Sequence, residues 1–245
     1  MIKPILFNTQ MVQAILEGRK TTTRRAAKGL KDATKVTNGD FKWDYKQSWM
    51  NDLGLEIHAP YHIGDILYVR ETWKSKLYAD GYVDAEILYK SDDSKCYLKH
   101  ISDELFSKLL KFSNKNGWQP SLFMPKEAAR IFLKVTRVKV EKLQDITEDG
   151  AKAEGANPQL WYQPYRTKNE GQQRYVGDMT HQEINYRTGF AQIWDNTLDI
   201  HNKLAWQYTF ENNPWVWVIE FERIDKSEVE SNEFGMWILW RNNRR

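Results

Sequence analysis

The sequence predicts an α+β fold: a bent, barrel-like β-sheet with short flanking helices and long loop insertions. Three observations lead there. Apolar residues alternate with polar ones in several short runs, the period of half-buried strands. Helical periodicity is confined to short stretches, one of them near the start. No internal repeat or heptad is visible, and the order of one early helix followed mostly by strands suits a single bent sheet better than a repeat array.

Taken in order, residues 4–7 read as a short strand. Asn8 or Thr9 can cap a helix to about Glu17, with Met11, Val12, Ile15 and Leu16 on one face. Gly18 follows where a left-handed residue is expected. The segment Arg19-Lys20-Thr21-Thr22-Thr23-Arg24-Arg25 is predicted extended, because three β-branched threonines make a poor helix interior. Residues 27–58 lack a sustained period and read as a loop-rich insertion. His62-Ile63-Gly64-Asp65 turns into a strand over Ile66–Glu71, and a second strand covers Tyr82–Tyr89. Residues 91–117 are polar, with a short helix near Asp103–Phe112. Ile131–Glu141 is a long strand whose apolar face slips near Arg137, where a bulge or bend would absorb the change. Thr147 caps a short helix ending before Gly155. Residues 157–188 read as a long loop, Phe190–Asn196 as a helix, and Pro214–Ile224 as the last strong strand. A Trp- and Arg-rich tail, 226–245, is expected to stand outside the domain core.

The 245 residues carry 36 Lys+Arg and 33 Asp+Glu. Three of the cations fall in the last five residues, so the body is balanced, and net charge argues for no nucleic-acid partner. Charge is uneven locally. Residues 17–31 hold six basic groups against one acid, and residues 141–154 hold five acids against two lysines. A single cysteine, Cys96, excludes an internal disulfide and a Cys-based zinc site, and suits a reducing cytosol. The N-terminus turns polar too early for a signal peptide, and no apolar run approaches bilayer length, so a cytoplasmic protein without a membrane partner is expected. Eleven tryptophans, twelve tyrosines and ten phenylalanines are the compositional anomaly; large aromatic cores and edges take most of them, and two or three are candidates for ligand contact.

Three segments carry candidate chemistry. Gly18–Arg25 ends a helix with a basic, hydroxyl-rich run suited to a polar or anionic ligand, with Arg19, Lys20, Thr21, Thr23, Arg24 and Arg25 as donors. A solvated basic stretch is the competing reading. In Arg70-Glu71-Thr72-Trp73, Arg70 and Glu71 leave a strand on opposite faces, so one of them meets an interior or a pocket; a structural ion pair is the alternative. Glu154 falls in the last turn of a short helix, where the helix dipole disfavours an anion unless a cation such as Lys20 is close. A surface glutamate is the plain alternative there. His58 and His62 are four apart, but Pro60 argues against a helical metal pair, and no metal or cofactor is expected.

These segments, with Trp118-Gln119-Pro120-Ser121, Met124-Pro125-Lys126, Leu143–Gly155 and Asn213–Phe221, resemble the ASCH domain family over residues 1–225. The similarity is to its larger bacteriophage- and prophage-type members, some of which go under the name of morphogenetic proteins. The resemblance implies a PUA-like β-barrel with insertions at 27–58, 74–120 and 156–188, and a nucleoside, nucleobase or RNA as ligand. Related small amidohydrolases remove the acyl group from N4-acetylcytidine with a lysine, a threonine and a glutamate, which fall on Lys20, Thr23 and Glu154. Arg19, Thr21, Arg24, Arg25, Arg70, Glu71 and Trp73 are then ligand-binding candidates. A non-catalytic RNA or modified-base binding module would use the same pocket, and a structural role in phage assembly is a third reading. Amide hydrolysis needs a nucleophile at the carbonyl carbon and a proton for the leaving ring amine. Thr23 can attack with Lys20 as base, or Lys20 can polarise the carbonyl while Glu154 activates water. Either way Lys20 and Glu154 should lie within about 6 Å.

Overall fold

The computed structural model describes residues 1–28, 48–50, 56–80, 82–113, 117–160, 164–166, 173–175, 184–198 and 204–229. The chain is α+β. Its strands are β1 (Ile2–Leu6), β2 (Thr22–Ala26), β3 (Ser48–Met50), β4 (Glu56–His58), β5 (Ile66–Arg70), β6 (Trp73–Asp80), β7 (Tyr82–Tyr89), β8 (Lys95–Leu98), β9 (Phe132–Lys142), β10 (Gln159–Leu160), β11 (Pro164–Arg166), β12 (Gln173–Tyr175), β13 (Ile184–Asn185) and β14 (Trp215–Ile224). Its helices are α1 (Thr9–Leu16), α2 (Asp103–Ser113), α3 (Glu148–Ala153) and α4 (Tyr186–Asn196).

The main sheet has the order β1-β5-β9-β14-β2. β1 runs parallel to β5, with Ile2 opposite Ile66 and Leu6 opposite Arg70, and β5 runs antiparallel to β9. A parallel pair needs a long crossover. Here the crossover holds α1, capped by Asn8, whose side chain accepts from the Met11 amide, and closed by Gly18 at φ 75°. β9 buries Leu133 and Val135, then exposes Thr136 and Arg137 in succession, then buries Val140 and Glu141. The alternation slips where the sequence places it.

Two compact units divide the chain. Unit 1 comprises Met1–Gly18, Tyr61–Val138 and Glu220–Arg245; unit 2 comprises Arg19–Pro60 and Lys139–Ile219. In unit 1, β6, β7 and β8 form an antiparallel sheet in which Trp73 faces Tyr89 and Ser75 faces Ile87. Its inner side joins Leu105 and Leu109 of α2, with Met124, Ala128, Phe132, Ile224 and Val229, in one apolar core. Residues 74–120, read as an insertion, thus supply strands and a helix with a buried face, and β6 is a strand that the sequence reading left out. Of the segment taken as a peripheral tail, residues 226–228 are exposed but Val229 is 3 % exposed and belongs to the core. Trp237 and Trp240 lie outside the described residues, as do most of 27–58 and 156–188. In unit 2, Leu143, Ile146, Ala151, Phe190, Trp194, Val216 and Val218 form a second core, joining α3 and α4 to the first half of β14. Among the described residues no helix is long and apolar enough to cross a membrane.

Candidate functional site

Unit 2 brings two of the candidate residues, Lys20 and Arg24, onto the carboxylate of a third, Glu154. α3 opens on Thr147, whose hydroxyl accepts from the Gly150 amide, and closes on Glu154, with Gly155 at φ 78° just beyond. The segment after Gly18 runs alongside this helix end. Lys20 and Glu154 form an antiparallel bridge, and the Thr21 amide donates to the Ala153 carbonyl at 2.8 Å. Backbone pairing therefore delivers the Lys20 side chain to the C-terminus of α3. Its Nζ donates to Glu154 Oε2 at 2.6 Å, to the Glu154 carbonyl at 2.9 Å and to the Thr22 carbonyl at 2.7 Å. Three acceptors match the three protons of an ammonium. One is a helix-terminal carbonyl, a position where a cation is favoured. The Lys20 side chain is 0 % exposed and that of Glu154 5 %.

Arg24 is the second cation on Glu154. Its Nη1 donates to Glu154 Oε1 at 3.1 Å, while Nε and Nη2 fork onto Glu141 Oε1 of β9 at 3.0 and 2.6 Å. The guanidinium lies 5.7 Å from the Phe190 ring centre on α4. Gly150 leaves it room, since a Cβ there would stand 3.3 Å from Arg24 Nη2. Lys139 Nζ closes the series on Glu141 Oε2 at 2.7 Å. Charges alternate from inside to outside: Lys20, Glu154, Arg24, Glu141, Lys139. Burial holds the Lys20 ammonium below the ordinary lysine value, opposed by the Glu154 carboxylate beside it. Against the burial that would raise it, the Arg24 guanidinium and the Lys139 ammonium hold the Glu141 carboxyl below its usual range.

Thr23 is buried at 2 % exposure and adjoins the Thr22 carbonyl that Lys20 grips. Successive side chains of a strand leave on opposite faces, so Thr23 and Arg25 leave β2 opposite Arg24. Arg24, expected to meet a ligand, is instead engaged by two carboxylates. Arg19 is exposed and donates to the Gly155 carbonyl at 3.1 Å; Thr21 is exposed and Arg25 half-buried.

The remaining candidates belong to unit 1. Glu71 is 1 % exposed and receives Arg130 Nε and Nη2 at 2.8 and 2.9 Å and Ser91 Oγ at 2.7 Å. Arg130 also binds Asp92 Oδ2 at 2.8 Å and stacks 4.0 Å from the Tyr89 ring centre. The ion pair expected of this motif exists, but its cation is Arg130, not Arg70. Glu71, through Ser91 and Arg130, thereby braces the 91–94 turn. Trp73, a candidate for ligand contact, is 0 % exposed and packs 5.6 Å from Phe112, a position that an indole this large suits well. Arg70 is half-buried, 5.8 Å from the Tyr68 ring centre. Among the described residues no cluster of His, Cys, Asp and Glu could hold a metal ion.

Glu141, Lys139 and Arg130 were not singled out from the sequence. The acidic balance of 141–154 against the basic balance of 17–31 was the signal for Glu141. Arg130, between Ala129 and Ile131, gives none. The chain matches no protein-family model, and no curated protein or solved structure is similar enough to count as a relative.

Proposed function

We propose that the protein is an ASCH-type, PUA-like protein that takes a nucleoside, nucleobase or RNA into a barrel-side pocket at Lys20 and Glu154. There it hydrolyses an amide on a modified base of the N4-acetylcytidine type. One observation carries this reading. Lys20 and Glu154, 134 positions apart, meet at 2.6 Å with both side chains withdrawn from water. Buried opposite charges with a depressed lysine are the arrangement that tunes acid–base groups toward neutral pH.

Hydrolysis places a hydroxyl on the acyl carbon and a proton on N4 as the C–N bond breaks. Lys20 holds the protons of the site. An ammonium whose pKa is lowered by burial gives up a proton more readily, so Lys20 supplies the leaving amine. The proton released by the attacking water is taken up by the pair, which returns to its starting state. Attack by the Thr23 hydroxyl is the other route, and it requires the ligand to reach the face of β2 opposite Arg24. No resident cofactor enters either route, and the reading puts the reaction in the cytosol.

The test follows the ultraviolet change when the protein is incubated with N4-acetylcytidine. Turnover that falls at least about 100-fold in Lys20→Ala supports the assignment. A binding-only module is the second reading, favoured by the engagement of both Glu154 oxygens and of three Lys20 donors. Salt-dependent RNA binding without turnover would establish it.

A further inference from the structure

Two cations converging on one carboxylate is how a protein ordinarily recognises a carboxylate or phosphate from outside. In unit 2 that anion position is already filled from within. Glu154 presents Oε2 to Lys20 at 2.6 Å and Oε1 to Arg24 at 3.1 Å, and all three side chains are nearly or fully buried. Glu141 takes the rest of the Arg24 fork, with Oε1 receiving Nε at 3.0 Å and Nη2 at 2.6 Å. Lys20, Arg24, Glu141 and Glu154 are thus two cations and two anions in a shared low-dielectric setting. A further anion would have to displace Glu154 or Glu141 and leave a buried carboxylate unpaired, which burial strongly disfavours. An uncharged acyl group meets no such obstacle.

We infer that Lys20 and Arg24 form a carboxylate cradle occupied by the chain's own Glu154, and that the site therefore admits only an uncharged acyl group. The substrate half of this statement rests on the amidohydrolase reading; the cradle half does not. Acyl groups ending in a carboxylate, such as succinyl, are excluded, while acetyl and other neutral acyl groups are accepted. Arg19 donates to the Gly155 carbonyl and Arg25 adds a repulsive charge that helps hold Lys20 down, but neither contacts Glu154 in the pairs that form the cradle.

Glu154→Ala leaves Lys20 and Arg24 facing a gap of carboxylate size. Its melting temperature should fall by about 10 °C, the loss expected when a buried charge pair of a chain this long is broken. Sodium acetate or formate at about 200 mM should then restore about 4 °C, the gain from filling the site at roughly twenty times its dissociation constant. Sodium chloride at equal ionic strength should not. Acetate should have no such effect on the native protein, whose cradle is full, or on the Lys20→Met/Glu154→Ala double variant, whose cradle is dismantled. Acetate acting on Glu154→Ala no better than chloride overturns the cradle. If the variant is insoluble, refolding in acetate but not in chloride supports the inference, and refolding in neither overturns it. In parallel, the native protein is given N4-acetylcytidine and N4-succinylcytidine. Cleavage of the acetyl compound at least about 10-fold faster in kcat/KM supports the exclusion, and comparable rates overturn it. If neither compound is cleaved, the amidohydrolase reading falls and the acetate rescue alone decides the cradle.

Discussion

Replacing Lys20 by methionine keeps an unbranched apolar stem, one atom shorter, and removes the charge and its three protons. The structure fixes what is lost. Glu154 Oε2 loses a partner at 2.6 Å, and the carbonyls of Glu154 and Thr22 lose donors at 2.9 and 2.7 Å. Breaking one side of a buried ion pair costs about 3–5 kcal/mol because the other charge stays buried. Arg24 still holds Glu154 Oε1 at 3.1 Å, which places Lys20→Met at the lower end, about 3 kcal/mol. For a chain of this length that is a fall of about 6–12 °C in Tm. The pairwise part is isolated by a double-mutant cycle with Glu154→Gln, read by urea unfolding and circular dichroism. The double variant should lose at least about 2 kcal/mol less than the sum of the singles, because each single strands a charge that the double removes. A coupling under about 0.5 kcal/mol would mean that the two groups do not share a low-dielectric site, and the account of the cluster would fail.

Other outcomes follow from the same geometry. Arg130→Met should cost about 3–5 kcal/mol by stranding Glu71, with faster amide exchange confined to the 91–94 turn; unchanged exchange there would refute the bracing role. Burial raises the Asp92 carboxyl, but Arg130 and Ser94 outweigh it and hold the group down at about 2 against 3.8. Its contribution is therefore complete above pH 3.8 and lost as pH falls toward 2, so Asp92→Asn should lower stability at neutral pH and flatten the acid-denaturation curve in that window. Gly18→Ala should destabilise by about 1 kcal/mol purely through the backbone, because φ is 75° and no heavy atom lies within 4 Å of the added Cβ; calorimetry reads it, and an unchanged Tm would deny the strain. Gly150→Ala would set a Cβ 3.2 Å from Ile146 Cγ1 and 3.3 Å from Arg24 Nη2 and Thr147 Oγ1, so Tm should fall; calorimetry reads it, and an unchanged Tm would deny the crowding.

Much of this was legible in local patterns. α1, β5, β7, β9 and β14 follow from periodicity and end signals, as do Thr147 as a cap and Gly18 and Gly155 just beyond helix ends. β6 was missed although Trp73, Ser75 and Leu77 alternate with Lys74 and Lys76, because a serine at an inward position weakened the apolar face. The bridge from Lys20 to Glu154 was foreseeable from block charges and from the helix-end position of Glu154. What Arg24 does was not. Its neutralising partners are 117 and 130 positions away, and nothing in a basic run tells a buried arginine from a solvated one. Trp73 illustrates the converse: aromatic bulk near a motif reads equally as platform or as core, and only packing against Phe112 decides.

The segment boundaries of the two units have a consequence for biosynthesis. The chain passes from one unit to the other after Gly18, Pro60, Val138 and Ile219. Unit 1 lacks its last segment until Glu220 and its successors are made, and unit 2 lacks the start of β14 until Trp215 appears. Neither can be completed before residues 215–220 have been synthesised. Domain-by-domain maturation, the usual safeguard of long chains, is closed to this one, and its late strand governs both halves. Stalling before Trp215 should leave Lys20 and Glu154 synthesised but the second core without Val216 and Val218, so nascent chains of that length should leave the apolar faces of α3 and α4 uncovered.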